Sequence, residues 1–187
     1  MKIDKEILEK LALLPTPKII GVSGFGGSGK SSFAKELGIL TNAPVISIDS
    51  FQKNRTDDSY SLWDIMDFSR LEREVLMPFS RQEKKIIYGH FDWETNGIKV
   101  INEIENNGIL IVEGVGLFRP ELVKYFSYTI WIDCSVDESI SRGKKRDREE
   151  YHNPQDDLWD GVWKTNDSQY YETYKPKESA NLVISNS

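Results

Sequence analysis

A single cysteine, Cys134, and only two histidines, His90 and His152, leave this 187-residue chain without the means for an internal disulfide or a zinc cluster. The histidines stand far apart without ligand spacing, and Cys134, just after an apolar run, reads as a small packed residue. No apolar run is long enough to cross a bilayer or to act as a secretory signal, so no membrane partner is expected and a reducing cytoplasm is the expected compartment. Basic charge is also scarce. Lys and Arg number 24 against 30 Asp and Glu, a net charge of -6, and a polynucleotide backbone needs a basic face to displace its counterions. Nucleic acid is therefore not expected as a partner. No Asn-Lys-X-Asp segment is present to read guanine, and there is no internal repeat or low-complexity tract.

What is present suits one core. At 39% apolar residues and this length, the expectation is a single domain over 1–187, with an N-terminal helix within 1–16 packed on it. Ile3, Ile7, Leu8, Leu11 and Leu14 recur at helical spacing with charges between them, which fits an amphipathic helix better than a targeting peptide.

Gly24-Phe25-Gly26-Gly27-Ser28-Gly29-Lys30-Ser31 is a complete phosphate-binding loop. Lys18-Ile19-Ile20-Gly21-Val22-Ser23 leads into it as a buried strand, and Ser32, Phe33, Ala34, Leu37 and Leu40 follow with near-helical spacing. Glycines let successive backbone N–H groups turn toward one point, so the loop and the positive end of the next helix surround a polyphosphate. Gly24 through Ser32 are thus the expected nucleotide-binding residues. Lys30 reaches the β- and γ-phosphates, and the Ser31 hydroxyl is placed to ligate Mg²⁺.

Further along, Pro44–Ile48 is a short apolar strand ending at Asp49, and Asp57–Ser61 reads as a loop. A helix is expected from about Phe68 to Met77, stopped by Pro78. Lys85–Tyr88 and Ile98–Ile101 flank Glu94-Thr95-Asn96-Gly97, whose Asn-Gly predicts a projecting β-hairpin. Ile109–Val112 and Tyr128–Ile132 are continuous apolar runs ending at Glu113 and Asp133. A helix is expected from Val136 to Asp147. A later helical stretch should carry Trp159, Trp163, Tyr170 and Tyr174 as a buried stripe, and Leu182–Ile184 should close the sheet.

Phosphoryl transfer needs the terminal phosphate held, its charge neutralised and an attacking oxygen positioned. Glu113, at a strand end, is the candidate acid for Mg²⁺. Asp49, beyond the carboxyl end of another strand, is the candidate base for an acceptor hydroxyl and a second acid near the metal. Arg142 and Arg146, one helical turn apart, can reach the same side, and their donor forks suit phosphate oxygens.

The pattern resembles the uridine kinase and phosphoribulokinase group of P-loop kinases over nearly the whole chain. Asp49-Ser50-Phe51 is similar to that group's Asp-Ser-Phe segment with its catalytic base, and Ile111-Val112-Glu113-Gly114 to its apolar-Glu-Gly strand end. Arg142 with Arg146-Asp147 resembles the lid that closes over ATP, and Ser179–Ile184 resembles the terminal Ala-Asp-Val-Ile-Ile, with Asn181 for Asp. By that resemblance, Asp64, Phe91 and Asp92 stand where relatives contact the acceptor. The resemblance implies a three-layer α/β P-loop NTPase fold, mostly parallel, with a projecting hairpin and a helical lid. It also implies a kinase that uses ATP and Mg²⁺ on a nucleoside-like or sugar-like hydroxyl. The rival readings are a nucleotide-binding regulator with no acceptor and a relative that binds without turnover; a homo-oligomer stays open.

Overall fold

The computed structural model describes residues 2–54, 63 and 65–186. In chain order they form α1 (Lys5–Leu13), β1 (Lys18–Gly24), α2 (Lys30–Thr41), β2 (Val45–Ser47) and a 3₁₀ turn (Ile48–Phe51). Then come α3 (Phe68–Leu71), a π turn (Glu72–Leu76), α4 (Met77–Ser80), β3 (Lys85–Asp92), β4 (Gly97–Glu105), β5 (Ile109–Glu113) and α5 (Pro120–Val123). The chain closes with β6 (Tyr128–Asp133), α6 (Val136–Glu149), α7 (Asp156–Asp160), α8 (Val162–Tyr174), α9 (Pro176–Ser179) and β7 (Leu182–Ser185).

Five strands pair in the order β2-β5-β1-β6-β7, every pair parallel. Side chains along each central strand alternate between two cores. Ile19, Leu110, Val112 and Trp131 enter one; Ile20, Val22, Ile111, Ile130 and Ile132 enter the other. The second core is closed by Phe33, Ala34 and Leu37 of α2 and by Ile3, Ile7 and Leu11 at the N-terminus. Burial on both faces is why these strands read as unbroken apolar runs rather than alternating ones. The result is the three-layer, mostly parallel α/β architecture that the resemblance implied.

Polar details fix the edges. Asp4 caps α1 by accepting from the Ile7 amide at 3.0 Å. The buried Lys18 ammonium donates to the carbonyls of Leu11 and Leu14 at 2.7 and 3.1 Å, which neutralises the negative end of the same helix. Asn181 Oδ1 accepts from both the amide and the hydroxyl of Thr129, at 2.8 and 2.9 Å, and so locks β7 against β6. An amide oxygen performs this task as well as a carboxylate oxygen.

The helix expected to stop at Pro78 continues through it to Ser80. The preceding turn is π-wound, with the Met77 amide bonded to the Glu72 carbonyl, and Pro78 falls in the first turn of the next segment, where its missing N–H is cheap. The late aromatic stripe is split between two helices at Gly161; Trp159 and Tyr170 are buried, while Trp163 is half-buried. The hairpin forms, but its loop is four residues, 93–96, with Asn96 at φ 51° and Gly97 already the first residue of β4. Asp57–Ser61 and Asp64 lie outside the described residues.

Candidate active site

Because the sheet is parallel, the carboxyl ends of all five strands lie on one side, and the strand order reverses at β1, with β5 and β6 flanking it. That switch point is where open α/β sheets bind ligands. The loop Gly24–Ser31 leaves β1 there. Gly27 (φ 81°) and Gly29 (φ 95°) both take left-handed backbone, which closes the loop into a tight turn with the Ser28 amide bonded to the Phe25 carbonyl at 3.0 Å. Gly29 opens α2 without any side-chain cap, and the first turn of that helix carries no acid. Its free N–H groups and its dipole therefore favour an anion.

The loop is held from behind. Phe25 is buried, edge-on to Trp131 at 5.4 Å and tilted on Tyr171 at 5.3 Å, so its side chain anchors the loop and only its backbone faces outward. From the lid side, α6 crosses directly over the loop. A Cβ on Gly27 would meet the Ser139 carbonyl oxygen at 2.1 Å, and one on Gly143 would meet the Trp159 ring at 2.3 Å. Backbone thus meets backbone at Gly27, and Trp159 lies flat over Gly143.

Glu113 ends β5 and is buried, and its Oε2 accepts from the exposed Ser31 hydroxyl at 3.1 Å. Ser47 pairs with Glu113 across the sheet. Asp49 lies two residues beyond that register position, on the 3₁₀ turn, with an exposed side chain. Asp49 therefore follows one strand and Glu113 ends its neighbour at the carboxyl end of the sheet, where Glu113 meets Ser31.

The two lid arginines are each committed to neighbours. Arg142 donates to the Asn186 carbonyl at 2.6 Å and to Glu138, while Asn186 Nδ2 donates to the Ser28 carbonyl at 2.7 Å. A chain of hydrogen bonds thereby joins α6, the C-terminal segment and the phosphate loop. Arg146 donates to Asp147 Oδ1 at 2.7 Å and lies over the Tyr151 ring at 4.9 Å. Asp147 is buried, and its other oxygen accepts from Trp159 Nε1 at 2.7 Å. Both guanidiniums thus have acceptors on the lid or on the C-terminal segment.

Two expected acceptor residues also have other work. Phe91 is almost fully buried against Trp93. Asp92 Oδ1 accepts from the amides of Glu94 and Thr95, both at 2.9 Å, and Oδ2 pairs with Lys99 at 3.2 Å, so its carboxylate closes the hairpin loop. Those amides and the Lys99 charge hold Asp92 below the usual carboxylate range. Asp64 lies outside the described residues.

Sequence reasoning missed the supports of Asp49. A β-bulge between His90 and Phe91 accompanies contact of His90 Nδ1 with the Ser50 hydroxyl at 2.9 Å, next to Asp49. The buried Arg70 donates to the Ser50 carbonyl at 2.6 Å and to the Gly89 carbonyl at 2.8 Å, and its guanidinium lies 4.8 Å from the Phe51 ring centroid. Arg70 thus binds the turn carrying Asp49 to the hairpin. Replacing Arg70 by Met should lower stability by about 2 kcal/mol, since charge-assisted bonds to buried carbonyls are lost. Urea unfolding would measure it, and an unchanged midpoint would contradict this role.

Asp167 on α8 was equally invisible. Its Oδ2 accepts from the Gly26 amide at 2.7 Å, inside the phosphate loop. Burial pushes its carboxyl up to about 6, against the lowering effects of the Gly26 amide and the Lys30 charge. Nearby Tyr170 accepts from the Phe118 amide at 2.9 Å, and burial pushes its phenol up to about 12, so it acts as a neutral anchor.

A parallel sheet with a phosphate-binding loop at its switch point defines the P-loop fold. No family model matches the chain. It is similar to the uridine kinase of Borrelia duttonii, with 27% identity covering 89% of this chain and 85% of the relative. The uridine kinase of Lactobacillus helveticus is 24% identical, covering 91% and 87%. In structure it is similar to a possible uridine kinase from Bacillus stearothermophilus, with a TM-score of 0.73, 16% identity, and coverage of 96% and 95%. In sequence and in fold the chain is thus similar to uridine kinases.

Proposed function

We propose that this protein transfers the γ-phosphate of ATP to a hydroxyl of a small acceptor, nucleoside-like or sugar-like. The observation that supports the reading is the Ser31–Glu113 hydrogen bond beside the uncapped α2 N-terminus, with Asp49 following the neighbouring strand at the same end of the sheet. Curated relatives named uridine kinase, spanning most of both chains, point the same way.

The loop fits a nucleotide polyphosphate, and the Ser31 and Glu113 oxygens fit Mg²⁺, a hard cation that keeps waters and shares phosphate oxygens. Among the described residues no group of three His, Cys, Asp or Glu side chains could hold a metal alone, which suits an ion carried in with the nucleotide. When bound, Mg²⁺ would offset negative charge on the phosphates. The loop amides and Lys30 orient the triphosphate. Asp49 accepts the proton of the acceptor hydroxyl as that oxygen attacks the γ-phosphorus, and ADP leaves in line.

Among the described residues no helix is long and apolar enough to cross a membrane. The reading is tested by incubating the protein with Mg-ATP and a panel of nucleosides and sugars. ADP release that depends on an acceptor supports it; equal release without one favours the regulatory NTPase. Glu113→Gln should raise the Mg²⁺ concentration for half-maximal turnover about tenfold, as loss of a metal-orienting carboxylate does elsewhere. An unchanged Mg²⁺ titration would remove Glu113 from the site.

A further inference from the structure

Most acids at this end of the sheet have an assigned partner: Glu113 holds Ser31, Asp133 holds Lys177, and Asp147 holds Arg146 and Trp159. Asp167 differs. Its carboxylate accepts instead from a backbone amide of the phosphate loop, the Gly26 N–H at 2.7 Å. A Cβ on Gly26 would also stand 3.5 Å from Asp167 Oδ2 and 3.0 Å from the Trp159 ring, so α7 and α8 together press on the loop at that residue. The field of Lys30 acts on the same carboxyl. Gly26 belongs to the loop that receives the phosphates, so Asp167 stands directly against that loop.

An ionised carboxylate there would repel a phosphate that carries negative charge in the same poorly solvated space. A neutral carboxylic acid would not. Its carbonyl oxygen keeps the Gly26 bond, and its hydroxyl is a donor for a phosphate oxygen.

We propose that Asp167 is a ligand of the nucleotide's terminal phosphate, acting as a neutral acid that takes up one proton as the triphosphate binds. The balance is simple: ionised protein, triphosphate and one proton give the complex with Asp167 protonated. The inference rests on the nucleotide reading of the loop and adds to it a residue and a pH dependence.

The groups that face Asp167 favour this. Burial already pushes the carboxyl up to about 6, and an arriving phosphate raises it further. Lys30 from α2 opposes the shift without cancelling it. Tyr170, one turn along α8, is neutral below about pH 12, and Ser139 and Gly143, the α6 residues against the loop, bear no charge. Below pH 6 the acid is already protonated and binding needs no uptake. Above pH 6 affinity falls by up to about tenfold per unit until the raised value in the complex is passed.

The test is calorimetric titration with the magnesium complex of a non-hydrolysable ATP analogue, from pH 5.5 to 8, in buffers of different ionisation enthalpy. The phosphate's own titration is common to every variant, so the difference between proteins is what counts. At pH 7.5, Asp167→Asn should bind about tenfold more tightly than wild type and take up nearly one proton fewer. An Asn oxygen still accepts from Gly26, and Asp167→Ser provides a second neutral variant. With wild type alone, ADP should bind with less proton uptake than the triphosphate analogue. Equal pH slopes and equal uptake in wild type and both variants would overturn the proposal and leave nucleotide binding intact. Absence of binding by every protein would overturn the nucleotide reading itself, and this inference with it.

Discussion

Asp49→Asn should lower kcat by about 10²- to 10⁴-fold while Mg-ATP affinity stays within about twofold of wild type. The side chain is exposed on a 3₁₀ turn whose backbone is fixed independently of its carboxylate. Its own amide donates to Ser47 Oγ at 3.3 Å, and Arg70 and His90 hold the neighbouring Ser50. An amide at position 49 therefore keeps the turn in place but cannot take a proton from the acceptor. Nucleotide affinity is insulated because the loop amides and Lys30 lie on β1 and α2, separated from β2 by β5. Single-turnover kinetics with equilibrium nucleotide binding would separate the two effects. A mutant with wild-type kcat would remove Asp49 as the base, and a matching loss of affinity would recast it as a nucleotide or metal ligand.

Gly27→Ala should be severely damaging for so small a change. The added methyl would stand 2.1 Å from the Ser139 carbonyl oxygen, and the φ of 81° is unfavourable for any residue with a Cβ. A flexible side chain could swing aside, but here the obstacle is helix backbone. Either the loop distorts or α6 lifts, and Asn186, which ties Arg142 to Ser28, is pulled from one of its partners. Overpacking of this kind costs about 1–3 kcal/mol of stability. Turnover should drop by at least about 10²-fold, because a misplacement on the order of 1 Å at a reacting centre does so. Thermal unfolding and acceptor-dependent ADP release would measure both. Wild-type behaviour in both would mean that the lid does not need its close seat on the loop.

The same contact explains why the lid arginines are legible as a pair yet not as a geometry. Helical spacing places Arg142 and Arg146 one turn apart, and the helix is there. Which acceptors their guanidiniums find depends on Asn186, forty-four residues away along the chain, and on a buried Asp147 that is itself pinned by Trp159. Likewise, Asp92 is an acid beside an aromatic in the sequence. Only the folded hairpin turns its oxygens onto the amides of its own loop.

Local sequence encodes the strand–loop–helix unit around Lys30, the apolar strands running into Asp49 and Glu113, the hairpin and the helix that begins at Val136. Each is encoded by neighbours within about ten residues, through periodicity, glycine placement and capping chemistry. Tertiary structure alone decided that Glu113 meets Ser31, that Arg70 braces the turn of Asp49 and that Asp167 bonds to the phosphate loop. These contacts join residues from 20 to 141 positions apart. The reason is physical: a polar side chain takes whichever partner packing brings within about 3 Å, and local sequence carries no record of which distant backbone that will be.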